Sequence, residues 1–163
     1  AKKVYSTDLI DRGYSIGGVD FLKATEKFYG AIITNPPYKI ALEFIEKALD
    51  ISGEGTKIAM FLKLTFLEGK RRKPFFRDNP PRKIHVFSSR ASVAKDGDFT
   101  AIPNNGNAIA YAWFVWEKSY KGETVVDWKT EIGRGGTMTD MADRCVPYHH
   151  NVNYSNLLNQ KYL

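Results

Sequence analysis

The sequence predicts an α/β domain with a mostly parallel sheet, and three observations support this class. Short apolar segments rich in β-branched residues alternate with segments of helical period. The 163 residues fit one domain and can bury a core without disulfides. A hydrophobic fraction of 43% with 13% aromatic residues is typical of a globular protein. Sheets of this kind bind ligands at the carboxyl ends of their strands.

The first part of the chain predicts three short strands. Residues 3–7 form the first, which ends at Asp8, and a glycine-containing loop over 13–18 follows. Residues 19–22 predict a brief edge strand. Residues 31–34 are apolar and mostly β-branched, as expected of a buried parallel strand.

An amphipathic helix is predicted next, because apolar residues recur at helical spacing on one face: Ala41, Phe44, Ile45, Ala48 and Leu49. Residues 57–62 predict a buried strand. Thr65 and Glu68 have the spacing of a capping box, which predicts a second helix from Thr65, limited in length by Pro74.

The rest of the chain predicts strands at 83–87, 108–117 and 124–128, the last two paired with each other. We expect the sheet to be mostly parallel with an antiparallel strand near the end of the domain. Residues 88–107 show little periodicity, which is typical of a loop that is either functional or disordered. From 129 to 163 the chain is polar and predicts a loosely structured tail, so the predicted division is a catalytic domain over 1–128 and a tail over 129–163.

The segment Asn35-Pro36-Pro37-Tyr38 connects a buried strand to the helix. Its prolines fix φ at two successive positions and remove two backbone donors, so the loop is stiff. Two acceptors, the Asn35 side-chain oxygen and the Pro36 carbonyl, would orient a conjugated amine and stabilise the positive charge that develops on its nitrogen. Tyr38 would stack on a base. The alternative is a rigid turn that carries no chemistry.

These residues resemble the amino-methyltransferases of the class I, S-adenosylmethionine-dependent fold, and above all the phage-type adenine-specific DNA methyltransferases. The resemblance runs from about Val4 to Trp128 and includes, besides the loop, the stretches 5–9, 18–22, 61–69 and 110–117. It implies a Rossmann-like sheet and transfer of a methyl group from S-adenosylmethionine to adenine N6 in DNA. The catalytic residues would be Asn35, Pro36, Pro37 and Tyr38. A loop that begins with Asn favours adenine N6, or a protein glutamine amide, over cytosine N4.

By the same resemblance, Asp8 would hold the ribose hydroxyls of the cofactor, because a carboxylate can accept two hydrogen bonds. Asp20 would contact the cofactor's adenine amino group, and Phe21 would pack on the adenine ring. Two alternatives stay open: Asp8 only caps a turn, and Phe21 belongs to the core.

One part of the family pattern is missing. The family's glycine-rich cofactor loop follows a first strand that lies between the strands carrying Asp8 and Asn35, and this sequence begins after that point. The resemblance therefore implies a domain that is incomplete at its N-terminus, with a gap in the sheet. A missing N-terminal segment, a second chain or the tail would complete the sheet. A catalytically inactive DNA-binding remnant or accessory subunit is the alternative function that this absence supports.

A basic segment favours DNA as the partner. The net charge is +6, and Phe75 and Phe76 are interleaved with a cluster of cations: Lys70, Arg71, Arg72, Lys73, Arg77, Arg82 and Lys83. Arg90, in the 88–107 loop, is a candidate for contacts with base edges. The alternative for both is an ordinary solvated surface.

Other classes receive little support. No apolar segment approaches the length of a membrane span and no secretion signal is present, which predicts a cytoplasmic protein of a bacterial or phage-infected cell without a membrane partner. The single Cys145 excludes an internal disulfide. Cys145, His149 and His150 are too few for a convincing metal set, so no metal site is predicted.

Overall fold

The computed structural model describes residues 3–11, 13, 15–88, 109–129 and 151–155. Within them, the strands are β1 (Lys3–Tyr5), β2 (Ala31–Thr34), β3 (Lys57–Lys63), β4 (Lys83–Phe87), β5 (Tyr111–Glu117), β6 (Val125–Lys129) and β7 (Asn151–Ser155). They form one sheet in the order β1-β7-β2-β3-β5-β4-β6. The described pairs are parallel except the two made by β5, which runs against both of its neighbours. The predicted Rossmann-like α/β class is confirmed.

The described helices are α1 (Ala41–Ile51) and α2 (Lys73–Asp78), with short 3-10 helices at Phe21–Lys23, Tyr38–Ile40 and Leu64–Leu67. Helix α1 matches the predicted stripe, and it buries Phe44, Ile45 and Ala48 against one face of the sheet. Its apolar face meets alternate residues of the strands, since side chains on a strand point to opposite faces. Buried side chains on this face include Ile32, Ile58, Met60, Phe114 and Trp116.

Strand β7 occupies the position in which a gap was expected. It pairs in parallel with β1 on one side and with β2 on the other. Of the three ways to complete the sheet, the structure shows the third: residues of the tail do so. The prediction of a loosely structured tail was therefore wrong for Asn151–Ser155. An Asn-rich strand has weak β-propensity, and pairing with two neighbours overrides that preference.

Two local predictions were wrong, one because a side chain caps a turn and the other because a glycine adopts a positive φ. Residues 19–22 do not form an edge strand: the Asp20 side chain accepts from the amide of Leu22 at 3.1 Å and caps the 3-10 helix Phe21–Lys23. The second helix does not start at Thr65. A 3-10 turn ends at Leu67, Gly69 adopts φ +111°, and α2 starts at Lys73, with Pro74 in its first turn.

The predicted pairing of the last domain strand was also wrong. β6 does not pair with β5 but lies parallel to β4 at the sheet edge. Both edges of β5 are already taken by β3 and β4. Two hydrogen bonds hold the start of β6 next to the residues that precede β4. They run from Thr124 Oγ1 to the Pro81 carbonyl at 2.7 Å and from the Val125 amide to the Arg82 carbonyl at 3.2 Å.

Candidate functional site

The register of three parallel strands places Asp8 and Asn35 at one edge of the sheet. Val152 in β7 is level with Val4 in β1 and with Ala31 in β2. Asp8 follows Val4 by four residues, and Asn35 follows Ala31 by four residues. One strand separates β1 from β2, so the two chain segments are about 10 Å apart, which is two strand spacings. The candidate site therefore lies around the carboxyl end of β7.

The Asn35 side chain is the most unusual polar group at this edge. The residue is only 7% exposed, and its Oδ1 is buried without a hydrogen-bond partner among the described residues. Thr34 Oγ1, one residue earlier, is buried and unpartnered in the same way. An unmade hydrogen bond to a buried acceptor costs about 1–3 kcal/mol. A ligand that donates to Asn35 Oδ1 would recover this cost.

The two prolines hold the loop in an extended turn. Pro37 has φ −57° and ψ 120°, and its carbonyl accepts from the amide of Ile40 at 3.0 Å. No described backbone hydrogen bond uses the Pro36 carbonyl. Of the two loop carbonyls, the one available to a ligand is thus that of Pro36, which is the acceptor predicted from the sequence.

Tyr38 starts the next 3-10 helix and packs between β3 and β5. Its ring centroid is 5.9 Å from that of Tyr111, and Lys63 Nζ lies over the Tyr38 ring at 5.1 Å from the centroid. The Tyr38 hydroxyl is buried and makes no hydrogen bond of standard geometry among the described residues, but it interacts with the neighbouring side chain of Tyr111. Burial raises the pKa of Tyr38 above its usual value, and burial also raises the pKa of Tyr111. Both hydroxyls therefore stay protonated at neutral pH.

Asp8 is buried and takes part in a turn. It is 6% exposed, and its Oδ1 accepts from the amide of Ile10 at 3.1 Å. Its backbone is held by two further bonds, from its amide to Ile16 O at 3.0 Å and from the Val19 amide to its carbonyl at 2.9 Å. Asp8 is thus a turn residue, as the alternative interpretation had it. Its predicted contact with a ribose stays a prediction.

Asp20 and Phe21 differ sharply in their surroundings. The Asp20 carboxylate is a third exposed, and its Oδ2 lies 3.5 Å from Lys23 Nζ. Phe21 is only 7% exposed, and its ring stacks on that of Phe44 with centroids 5.3 Å apart. Phe21 belongs to the core, as its alternative interpretation had it, and this packing disfavours its predicted contact with a cofactor ring.

The structure divides the basic segment into two groups. The cations of the first group are engaged within the protein. Arg72 Nε donates to the Phe66 carbonyl at 2.8 Å, and its guanidinium lies 4.8 Å from the Phe66 ring centroid. Arg77 Nε lies 2.8 Å from Asp78 Oδ1. This pairing raises the pKa of Arg77 and lowers that of Asp78. Arg82 and Lys83 are paired with Glu117 and Asp127.

The second group is exposed: Lys70, Arg71 and Lys73 have no described salt bridge. Lys70 and Lys73 border a groove of about 600 Å³ whose other walls are mostly apolar, among them Phe76 and Val126. These three cations are therefore the members of the segment best placed to meet a phosphate backbone. Arg90 lies outside the described residues, as do Cys145, His149 and His150.

Sequence reasoning missed the residues on β3 that adjoin the loop. Lys63 ends β3, and counting on from the pair Thr34–Met60 places it level with Pro37. Lys63 also borders a cavity of about 240 Å³, which is lined by Tyr38, Lys39, Lys63, Thr65, Phe66 and Arg72, among others. The only signal in the sequence is a lysine at the carboxyl end of a predicted strand, and the pairing of β2 with β3 had to be known to use it.

The described residues contain no helix with the length and apolar character of a membrane span. They also contain no group of three or more His, Cys, Asp or Glu side chains placed to hold a metal ion.

Comparisons with known proteins give one modest result. No protein-family model and no curated protein matches the sequence. Among solved structures, the crystal structure of the M1.HpyAVI–SAM complex is similar, with 14% sequence identity over 98% of this chain and 95% of that chain, and a TM-score of 0.37. At this identity and TM-score the likeness identifies no family.

Proposed function

We propose that this chain transfers a methyl group from S-adenosylmethionine to the N6 amino group of adenine in DNA. The observation that carries the proposal is the buried, unpartnered Oδ1 of Asn35 at the carboxyl end of β2. A buried acceptor without a donor indicates a place for a ligand N–H group. The neighbouring Pro36 carbonyl supplies a second acceptor, since the Pro37 carbonyl is already bonded.

Two acceptors suit this reaction because an amino group conjugated with a ring is a weak nucleophile. Hydrogen bonds from both of its N–H groups favour the pyramidal form, in which the nitrogen lone pair is available. They also stabilise the positive charge that appears on nitrogen as the N–C bond forms and the S–C bond breaks. One proton then leaves the nitrogen for water. No strong base is required at the moment of attack.

The residues at the β1 end fit the cofactor in part. Asp8 and Asp20 are carboxylates that can accept from ribose hydroxyls and from an amino group. S-adenosylmethionine would supply the electrophilic methyl group. The Phe21 ring is stacked on Phe44, and its packing on the cofactor's adenine ring stays a prediction.

Tyr38 supports a flat, aromatic substrate over an aliphatic amide. Its ring carries a lysine ammonium, a contact that contributes about 0.5–2 kcal/mol, depending on how far it is desolvated. Stacking of a base contributes about 1–3 kcal/mol. The stacking of a base can therefore offset the loss of the Lys63 contact. A protein glutamine has no ring to stack, which disfavours the alternative of amide methylation.

A second candidate is a catalytically inactive DNA-binding remnant. It is favoured by the burial of Phe21, whose ring is only 7% exposed and so offers little surface to a cofactor. The exposed cations Lys70, Arg71 and Lys73 would serve it equally well.

The test is incubation of unmethylated DNA with the protein and S-adenosylmethionine that carries a deuterated methyl group. After digestion to nucleosides, mass spectrometry should find the label in N6-methyldeoxyadenosine. Asn35→Ala should abolish it, and Thr34→Val, which removes the adjacent unpartnered oxygen, should retain it. Label in N4-methyldeoxycytidine alone would show that the amine is wrong. Unlabelled DNA, when calorimetry shows that the cofactor binds, would favour methylation of another amide. Unlabelled DNA without cofactor binding would favour the remnant.

A further inference from the structure

The cavity beside Tyr38 is positively charged on several sides. Lys39 and Lys63 border it from the loop and from β3, and Arg72 borders it from the segment that precedes α2. Among the residues that the structure describes, none of those lining the cavity is acidic. A cavity with cationic walls and no carboxylate favours an anion.

The three cations are not neutralised within the described part of the chain. Neither Lys39 nor Lys63 has a described salt bridge, and the described contact of Lys63 is with the Tyr38 ring. The Arg72 guanidinium donates to the carbonyl oxygens of Phe66, Thr65 and Glu68. Carbonyl groups fix its position but leave its charge in place. Arg72 is thus a rigid positive charge, and the two lysines are adaptable ones.

The location of the cavity selects among anions. It is lined by Tyr38, on which the target base is proposed to stack, and Lys63 is level with Pro37 of the same loop. A group bound there would be separated from the base by only a few covalent bonds of the substrate. In a nucleic acid strand, the anions closest to a base are the phosphates attached to its own sugar.

We propose that this cavity binds a phosphate that adjoins the target nucleotide, with Lys63 and Lys39 as its contacts and Arg72 as a fixed charge behind them. The inference rests on the proposed function, and it restricts the substrate to a nucleotide within a polynucleotide. Lys63 leaves the Tyr38 ring when the base arrives and moves to the phosphate. The exposed cations Lys70, Arg71 and Lys73 then hold the flanking strand.

The probe is deoxyadenosine 3′,5′-bisphosphate, compared with deoxyadenosine, titrated into the labelled full chain by NMR. We expect the bisphosphate to bind at least about tenfold more tightly, with shifts at Tyr38 and Lys63, since charge-assisted bonds to phosphate are strong. Lys63→Gln should reduce this preference at least threefold. Lys63→Arg should restore it, and Lys57→Gln, at the opposite end of β3, should leave it unchanged.

A salt titration of DNA binding gives a second readout, in which Lys63→Gln should lower the slope by about one relative to Lys57→Gln. An unchanged preference and slope in Lys63→Gln would overturn the inference, even if the protein methylates DNA. If the preference depends on Lys63 while no methyl group reaches DNA, the phosphate site stands and the proposed function fails.

Discussion

The two sides of the candidate site are built very differently. On the side of the proposed target base, β2 lies between two neighbours and all four of its residues are buried. On the side of the proposed cofactor, β1 has three residues at the edge of the sheet, with Val4 48% and Tyr5 40% exposed. A thin, exposed edge strand opens at low free energy, whereas a central strand opens only with the domain. Both sides pair with β7, but β2 is also held by β3, whereas the described pairing of β1 is with β7 alone.

The largest expected effect is a loss of methyl-transfer rate with little change in stability, and it concerns Asn35 on the base side. Asn35→Ala should lower the rate of methyl transfer about 10²–10³-fold, as is usual when a group that stabilises transition-state charge is removed. Its stability should change by less than about 1 kcal/mol, since the lost packing is offset by removal of an unsatisfied acceptor. Single-turnover methylation and urea unfolding measure the two quantities.

The matched variant is Thr34→Val, which removes the other unpartnered oxygen of the segment. This variant should stabilise the protein by about 1 kcal/mol, because the unpartnered hydroxyl of Thr34 lowers the stability of the unmodified protein. It should leave the rate unchanged, because that hydroxyl takes no part in the reaction. If Thr34→Val lost as much rate as Asn35→Ala, the orphaned oxygens would reflect loop strain and not a binding site.

The next largest effect concerns β7. Val152→Pro should destabilise the protein by at least about 2 kcal/mol, because proline removes a ladder donor inside the sheet and leaves a carbonyl unsatisfied. For a chain of this size, the melting temperature should fall by roughly 4–8 °C. Hydrogen exchange should show reduced protection of the backbone amides around Val4 and Ala31, which are the register partners of Val152.

Val126→Pro is the control for β7. Val126 lies on the edge strand β6. The amide of Val125 donates to the Arg82 carbonyl, and successive amides of a strand point to opposite sides. Its own amide therefore points away from β4, and proline should cost little there. Equal melting curves for Val152→Pro and the unmodified protein would mean that β7 adds no stability to the sheet.

The same contrast explains how far the sequence could be interpreted. The unit of β2, the proline loop and α1 was predicted within a few residues, because its apolar run, its prolines and its helical stripe are all local signals. β7 could not be predicted from Asn-Val-Asn-Tyr-Ser, since its strand character comes from pairing with residues more than a hundred positions away.

Side-chain roles were harder to predict than backbone elements. Arg72 and Lys70 look equivalent in the sequence, yet Arg72 is folded onto carbonyl groups and Lys70 is exposed. Asp20 and Phe21 fitted a cofactor pattern, but the Asp20 side chain caps a 3-10 turn that directs Phe21 towards Phe44. Such choices depend on distant partners and on local hydrogen bonds that periodicity does not encode.

A smaller effect is expected on the cofactor side. Asp8→Asn keeps an acceptor for the Ile10 amide but removes the charge, so it should preserve the fold and weaken S-adenosylmethionine binding about tenfold. Asp11→Asn is the matched control, because Asp11 Oδ1 accepts from the Gly13 amide at 3.0 Å in a turn of the same kind but on the surface. Calorimetry that finds equal cofactor affinity in both variants would leave Asp8 as a turn residue only.

The smallest effect is a pH dependence that comes from the base side alone. Burial raises the pKa of Tyr38 in the folded state, so its contribution to stability is complete below the unfolded value of about 10. As pH rises above that value, the unfolded chain loses its proton first, and folding stability falls by up to about 1.4 kcal/mol per pH unit for this group.

Tyr38→Phe should therefore flatten the decline in urea-unfolding free energy between about pH 10 and 11. Tyr29→Phe, at an exposed position, should leave the slope as it is. A slope that is identical in the two variants would show that the Tyr38 hydroxyl is hydrated in solution, and with it the cavity next to the proposed base site.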